Sequence, residues 1–395
     1  MSVYLEAAVD MKDEIEEIWT ALHGMPEPPF QETKTAGFIA YRLSEAGFDV
    51  KKGLADTGIV ADLGDPAAGD LTGPVIALRA DMDAMRHDID GREVWVHSCG
   101  HDAHSTIVIT AGLMLARRCA GARGRLRLIF QPGEETGLGA GRMIEAGAVR
   151  GVDALIGMHL RPVSECRVGQ ATPCLWHSAG RTLSYSVVGK PSHTGRPHLG
   201  INVADAVAMA TLAVNNVKPD PLRCATVNVV ALSAGDGPGG VIPERGSLTV
   251  NIRSESDQIA DELSSKVDGA VRAVVAANGA EAGLKREKQM PAPRYDEGMI
   301  ALARRAIVSV LGEGGVVEKI TTPGSEDFHW YARRTPGLHA AYIGLGANFS
   351  PGLHHPDASF DKKALVYGAA ILAEAAADFL NSGISFKVGC EGRRM

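Results

Sequence analysis

Between His97 and Ser105 the chain reads HSCGHDAHS, a run that gathers three histidines, a cysteine and an aspartate. Cys99 and His101 are two apart, and Gly100 between them lets the backbone bend so that both side chains face one point. Thiolate and imidazole suit Zn²⁺, Mn²⁺, Co²⁺ or Ni²⁺, and an added carboxylate shifts preference toward harder ions. Taken alone, Cys-x-His is weak evidence for a metal, and His97 and His104 read as structural or exposed. Glu134 and Glu135 follow a strand and a Pro-Gly turn. Side chains of adjacent residues there project differently, so one carboxylate can ligate while its neighbour faces substrate. His159 singly reads as a satisfied core histidine, and His354 and His355 in GLHHPD are ambiguous. Asp81, Asp83 and Asp102 read as ligands, as carboxylates orienting a ligating histidine, or as helix caps.

These residues sit at the ends of regular elements. Periodicity predicts a helix over Leu5 to Leu22 and another over Thr33 to Ala46, closed by Gly47. Val75 to Arg79 and Leu126 to Gln131 read as buried strands running into polar loops, and DALIGMHLRP as a short strand carrying His159. STIVITAGLMLARRCA reads as a helix starting just after the opening cluster, and Lys363 to Leu380 as the final helix. The repeated order of strand, polar loop and helix predicts an α/β fold with a mostly parallel sheet and flanking helices. Its polar residues gather after strand ends, where open α/β sheets build their sites. After about Arg181 the pattern changes to RTLSYSVVG, ATVNVVALSAG and SLTVNIRSES as strands with two helical runs among them. That predicts an α+β domain over 181–291 inserted into a catalytic domain of 1–180 and 292–395.

The apolar fraction of 45% and charged fraction of 22% are those of an ordinary globular protein, and 395 residues exceed one comfortable core. A net charge of −7 opposes binding to nucleic acid or an anionic membrane. No apolar run reaches the roughly 20 residues a membrane span needs. The acidic start MSVYLEAAVDMKDEIEEIW does not read as a signal peptide. Six scattered cysteines (99, 119, 166, 174, 224 and 390) lack the density of a disulfide scaffold, so a reduced, cytoplasmic setting is expected.

In order along the chain, LRADMDAM, HSCGHDAHST, FQPGEETGLGA, GMHLRP, SHTGRPHLGIN, VIPERGSLTVNIR, GSEDF and LHHP resemble the metal-dependent amidohydrolases. That family, in peptidase clan MH, includes auxin-conjugate hydrolases, hippurate hydrolases and N-acyl-amino-acid deacylases. The resemblance runs from LHGMPEPPFQET to LHHPDASFD. It implies a zinc-peptidase-like catalytic domain and an inserted dimerisation or lid domain. It also implies that Cys99, His101, Glu135, His159 and His354 hold two divalent ions, favouring Mn²⁺ with Zn²⁺, Co²⁺ or Ni²⁺ open. Glu134 would then be general base and acid. His193 would reach across a homodimer, or a higher homo-oligomer, to the substrate carbonyl. Arg253 would bind substrate, with Arg196, His198 and Gly240 on the substrate side. His355 stands where the family often has Asn or Ser and is left out of the ligand set.

The implied chemistry is hydrolysis of a carbon–nitrogen bond in a small-molecule substrate, most simply the amide of an N-acyl or N-aroyl amino acid. Paired cations bring the pKa of a bridging water toward neutrality, so that hydroxide attacks, and Glu134 moves the proton to the departing nitrogen. The metals and His193 would stabilise the oxyanion. A hinge near Arg181 and Pro291 to Pro293 would let the inserted domain close on substrate. Departures from the family pattern cluster on the substrate side: Gly240 replaces the usual Asn, DAMR replaces DALP, and PSHTGRPH replaces GGHGAMPH. They motivate an alternative in which the same site removes ammonia from an aryl amine. A binding protein without catalysis is opposed by the full donor set with Glu134. A redox role for Cys99 is opposed by the lack of a Cys-x-x-Cys partner. Nucleotide and serine-hydrolase chemistry find neither a phosphate loop nor a Gly-x-Ser-x-Gly elbow.

Overall fold

The computed structural model describes residues 2–63, 73–118, 124–235, 237 and 239–382. Cys119 and Cys390, and the end of the helix read through Ala120, lie outside them. The chain divides into two compact units. The first comprises Met1–Trp176, Arg294–Ile320 and Asp327–Met395, and the second His177–Pro293 with Thr321–Glu326.

The first unit is built on a seven-stranded sheet in the order Asp49–Leu54, Gly58–Leu63, Arg125–Gln131, Val75–Asp81, Ala154–Pro162, His339–Phe349, Ala171–Thr172. The four central strands run parallel, and the flanking strands are antiparallel. Alternate residues of Val75–Asp81 enter different cores: Ile76, Leu78 and Ala80 join one apolar cluster, Val75 and Ala77 another. Two-sided burial explains why the strand reads as an unbroken apolar run.

The helix His101–Arg118 is buried from His101 through Leu115. It begins at His101, inside the histidine cluster and not after it. The polar residues of its first turns found buried partners: Ser105 Oγ donates to Asp81 O at 2.8 Å, and Thr106 Oγ1 to Asp102 O at 2.7 Å. Polarity that reads as loop is here internal wiring. The expected helix Leu5 to Leu22 is two helices, Val3–Asp10 and Lys12–His23, broken at Met11. Tyr4, Ala8, Met11, Ile15, Ile18 and Leu22 are all buried, so apolar spacing carries straight through the break. The final helix, Lys363–Ser382, includes a 19-residue stretch apolar enough to cross a membrane, but 78% of it is buried, as in a core helix.

The second unit has a four-stranded antiparallel sheet in the order Ala225–Ala234, Arg245–Ser254, Ala179–Val188, Glu281–Met290. Helices Val203–Asn215 and Asp257–Ala277 pack on it, and the latter buries Ala260, Leu263, Val267, Val271 and Val275 at helical spacing. Sequence patterning misses Glu281–Met290, an edge strand whose run of charges hides its period. Thr321–Glu326 joins this unit through hydrogen bonds at Ser178: Ser178 N–H donates to Gly324 O at 2.8 Å, and Ser325 Oγ to Ser178 O at 2.9 Å.

Candidate metal centre

Parallel strands place their C-terminal ends on one edge of the first unit's sheet, and the candidate residues cluster there. Val75–Asp81 leads to Asp83, Arg125–Gln131 leads through Pro132-Gly133 to Glu134 and Glu135, and Ala154–Pro162 carries His159. His354 follows His339–Phe349, and Gly100, at φ +89°, turns the chain from Cys99 into the helix that starts with His101.

Cys99 Sγ lies 3.5 Å from His159 Nε2 and 3.4 Å from His354 Nε2. Glu135 Oε1 lies 3.8 Å from His101 Nε2 and 3.6 Å from His354 Nε2. Cys99–His101–His159, Cys99–Glu135–His354 and His101–Glu134–Glu135 each have ligand atoms within 4.8 Å of one another, with room to share a cation. The side chain of His354 is 51% exposed and opens the pocket to solvent, whereas those of His101 and Glu135 are 1% and 16% exposed.

Each inner imidazole is aimed from behind. His101 Nδ1 donates to Asp83 O at 2.8 Å and His159 Nδ1 to Leu160 O at 2.7 Å. A carbonyl oxygen only accepts, so each neutral ring carries its proton on Nδ1 and turns the Nε2 lone pair inward. His101 Nε2 is buried without a hydrogen-bond partner among the described residues. Asp83 also seats both glutamates, its Oδ1 accepting Glu134 N–H and its Oδ2 accepting Glu135 N–H, each at 3.0 Å. The preceding Gly133, at φ +64°, lies under the Phe30 ring, which a Cβ would meet at 2.4 Å. Its N–H donates to Glu32 Oε1 at 3.0 Å.

The electrostatics favour a cation. Burial, then the neighbouring Glu135 charge, pushes the Cys99 thiol well above its ordinary pKa. Burial brings Glu135 up to about 7. His101 moves the other way: burial opposes its charge most, yet the Asp81 and Cys99 charges outweigh it and raise the pKa. His159 is held well below its usual value by burial, then by the His104 charge, and His354 is lowered by burial and then by His101. A field that draws a proton to His101 draws a divalent ion to the same place. Soft sulfur, imidazole lone pairs and a carboxylate form a donor set that suits such an ion.

The second unit carries the remaining candidates. His193 pairs with Val241, and Thr194 N–H donates to Gly240 O at 3.1 Å, so His193 and Gly240 are neighbours. His193, Arg196, His198 and Gly240 are all exposed. Arg253 lies elsewhere, half-buried beside Asn251 Oδ1 at 3.2 Å and in contact with Ser325 Oγ. It lies on the strand Arg245–Ser254, opposite Gly180, whereas His193 pairs with Val241 in a separate two-stranded sheet.

Of the ambiguous residues, His104 is structural, with Nδ1 bound to Asp81 Oδ1 at 2.7 Å and Nε2 accepting Leu160 N–H at 3.0 Å. His97 is buried, and Asp102 pairs with His23 at 2.7 Å. His355 is engaged locally, its Nδ1 accepting Asp357 N–H at 3.2 Å. Sequence reading gave no role to Glu32, Arg79, Gln131 or Asp327, all buried. The signal available was a charged residue inside an apolar strand, as Arg79 is.

A family model described as peptidase family M20/M25/M40 matches residues 77–378. The N-acetyl-L-cysteine deacetylase of Bacillus subtilis (strain 168) is 30% identical over 380 residues, covering 93% of this chain and 88% of its own. The IAA-amino acid hydrolase ILR1-like 5 of Arabidopsis thaliana is 28% identical, covering 91% and 85%. Among solved structures, the YXEP protein of Bacillus subtilis, described as a dinuclear metal binding peptidase from the M20 family, superposes with a TM-score of 0.74 at 26% identity. That match covers 94% of this chain and 99% of the other.

Proposed function

The chain belongs to peptidase family M20/M25/M40, and from that premise we propose that it is a metal-dependent amidohydrolase cleaving the amide of an N-acyl or N-aroyl amino acid. One observation carries the reading: a thiol, three imidazoles and a carboxylate from separate segments converge within a few ångströms, with Glu134 beside them. Relatives that act on acetylcysteine and on IAA–amino acid conjugates support the substrate class.

Cys99, His101, Glu135, His159 and His354 would hold two divalent ions, Mn²⁺ by family likeness, with Zn²⁺, Co²⁺ and Ni²⁺ as the alternatives. Bound there, the ions supply Lewis acidity that makes water more acidic and a carbonyl more electrophilic. Glu134, seated through its backbone by Asp83, takes a proton from the attacking water and returns it to the departing nitrogen. Arg253 receives the carboxylate of the amino acid. His193 supports the substrate carbonyl held by the other copy of a homodimer. One observation supports the dimer. Met209 and Leu212 on Val203–Asn215, with Val230 and Leu232 on the edge strand Ala225–Ala234, offer apolar surface to a second chain. A cytoplasmic setting, which keeps Cys99 reduced, goes with this reading.

The test is elemental analysis of purified protein, then assay against acetylcysteine, hippurate and indole-acyl conjugates before and after chelation. Two ions per chain and release of free amino acid are expected. Ammonia released from aminobenzoic acids would replace the amide reading by the aryl-amine one. A metal-free chain with full activity would overturn both.

A further inference from the structure

Beneath Glu134 lies a buried polar network that no step above uses. Arg79, with a fully buried side chain, reaches Asp81 Oδ2 at 2.7 Å through NH1, Asp327 Oδ1 at 3.2 Å through NH2 and Gln131 Oε1 at 3.0 Å through Nε. Gln131 Nε2 donates to Asp327 Oδ1 at 2.8 Å, and Ala140 N–H donates to Asp327 Oδ2 at 2.9 Å. Both oxygens of Asp327 are thus held, by a guanidinium, an amide and the first turn of the helix Gly139–Glu145. From the same residue, the backbone N–H of Asp327 points to Glu134 Oε1 at 3.3 Å.

Buried ions cost folding free energy unless fully partnered, so this cluster is an expensive way merely to fill space. A glutamate side chain has three rotatable bonds, and a base that wanders by an ångström loses much of its advantage. A fixed donor on one carboxylate oxygen confines the other.

We propose that Asp327 is a positioning residue for the general base, its clamped carboxylate fixing the backbone N–H that aims Glu134. Arg79 and Gln131 complete the clamp, and Arg79 shares its charge with Asp81, which binds His104 behind the metal residues. The inference rests on the proposed role of Glu134.

The experiment compares Asp327→Ala and the shape-conserving Gln131→Met, each alone and combined with Glu134→Gln, in metal-loaded protein. Expected losses in kcat are about 100-fold for Asp327→Ala and about 10-fold for Gln131→Met, with KM within about twofold and metal content unchanged. In the Glu134→Gln background neither should lower the residual rate further, because the base they aim is gone. Equal fold-losses in both backgrounds, or losses that track metal content, would make the network merely structural and overturn the proposal. If Asp327→Ala does not fold, Gln131→Met carries the same test. Wild-type kcat in Asp327→Ala beside an inactive Glu134→Gln would sink this inference alone. Wild-type kcat in Glu134→Gln would remove the general base itself, and the proposal with it.

Discussion

The candidate residues of the two units are held in opposite ways. In the first, His101 and His159 are each fixed by a carbonyl behind the ring, and one carboxylate, Asp83, seats two successive glutamates. In the second, His193 is exposed, and its Nδ1 accepts Gly195 N–H from its own turn at 3.0 Å. A binding place for a small ion has to be built before the ion arrives, since an ion brings little contact area of its own. A place for an organic substrate can be completed by the substrate and by a second chain. The contrast separates a place built by the chain's own buried contacts from residues left open at its surface.

Glu134→Gln should strike the prepared side hardest, cutting kcat by about 1,000-fold or more with metal content intact; a milder loss in steady-state assay would show that the base lies elsewhere. His193→Ala should cost about 100-fold in kcat and leave metal content untouched. Mixing inactive Glu134→Gln with His193→Ala chains should restore part of the activity, because one site of each mixed dimer would have both residues. No recovery on mixing would return His193 to its own chain. Asp83→Ala leaves every proposed ligand in place but should weaken metal affinity 10- to 100-fold, read by competition with a chelating dye. The smallest effect concerns stability. Burial, then the Arg79 and Arg333 charges, lowers His329 to about 3. The unfolded chain therefore binds a proton below about pH 6.5 that the folded chain refuses, and stability falls with pH from there. The loss is about 2 kcal/mol by pH 5. His329→Phe should reduce that slope in urea titrations at pH 7 and pH 5, leaving the share of the other buried histidines.

Much of the prepared side is legible in the sequence because donor types are rare and their order along the chain is distinctive. Cys99, His101, Glu135, His159 and His354 come together in space as separate motifs, each ambiguous singly. What holds them is not legible. Asp81 and Asp83 look alike in LRADMDAM, yet one binds His104 and the other binds two backbone N–H groups. That choice depends on a loop fifty residues away. The helix starting at His101 was hidden because its polar first turns find partners only in the folded chain. The edge strand Glu281–Met290 was hidden because its run of charged residues masks the alternation.

Glu32 joins residues from three separate parts of the first unit's opening segment. Its carboxylate receives the N–H groups of Phe30 and Gly133, each at 3.0 Å, and the Thr57 hydroxyl. The loop that presents Glu134 is therefore latched by a part of the chain that supplies none of the chemistry. Losing the Glu32 carboxylate would leave every proposed ligand in place and free the backbone just before Glu134.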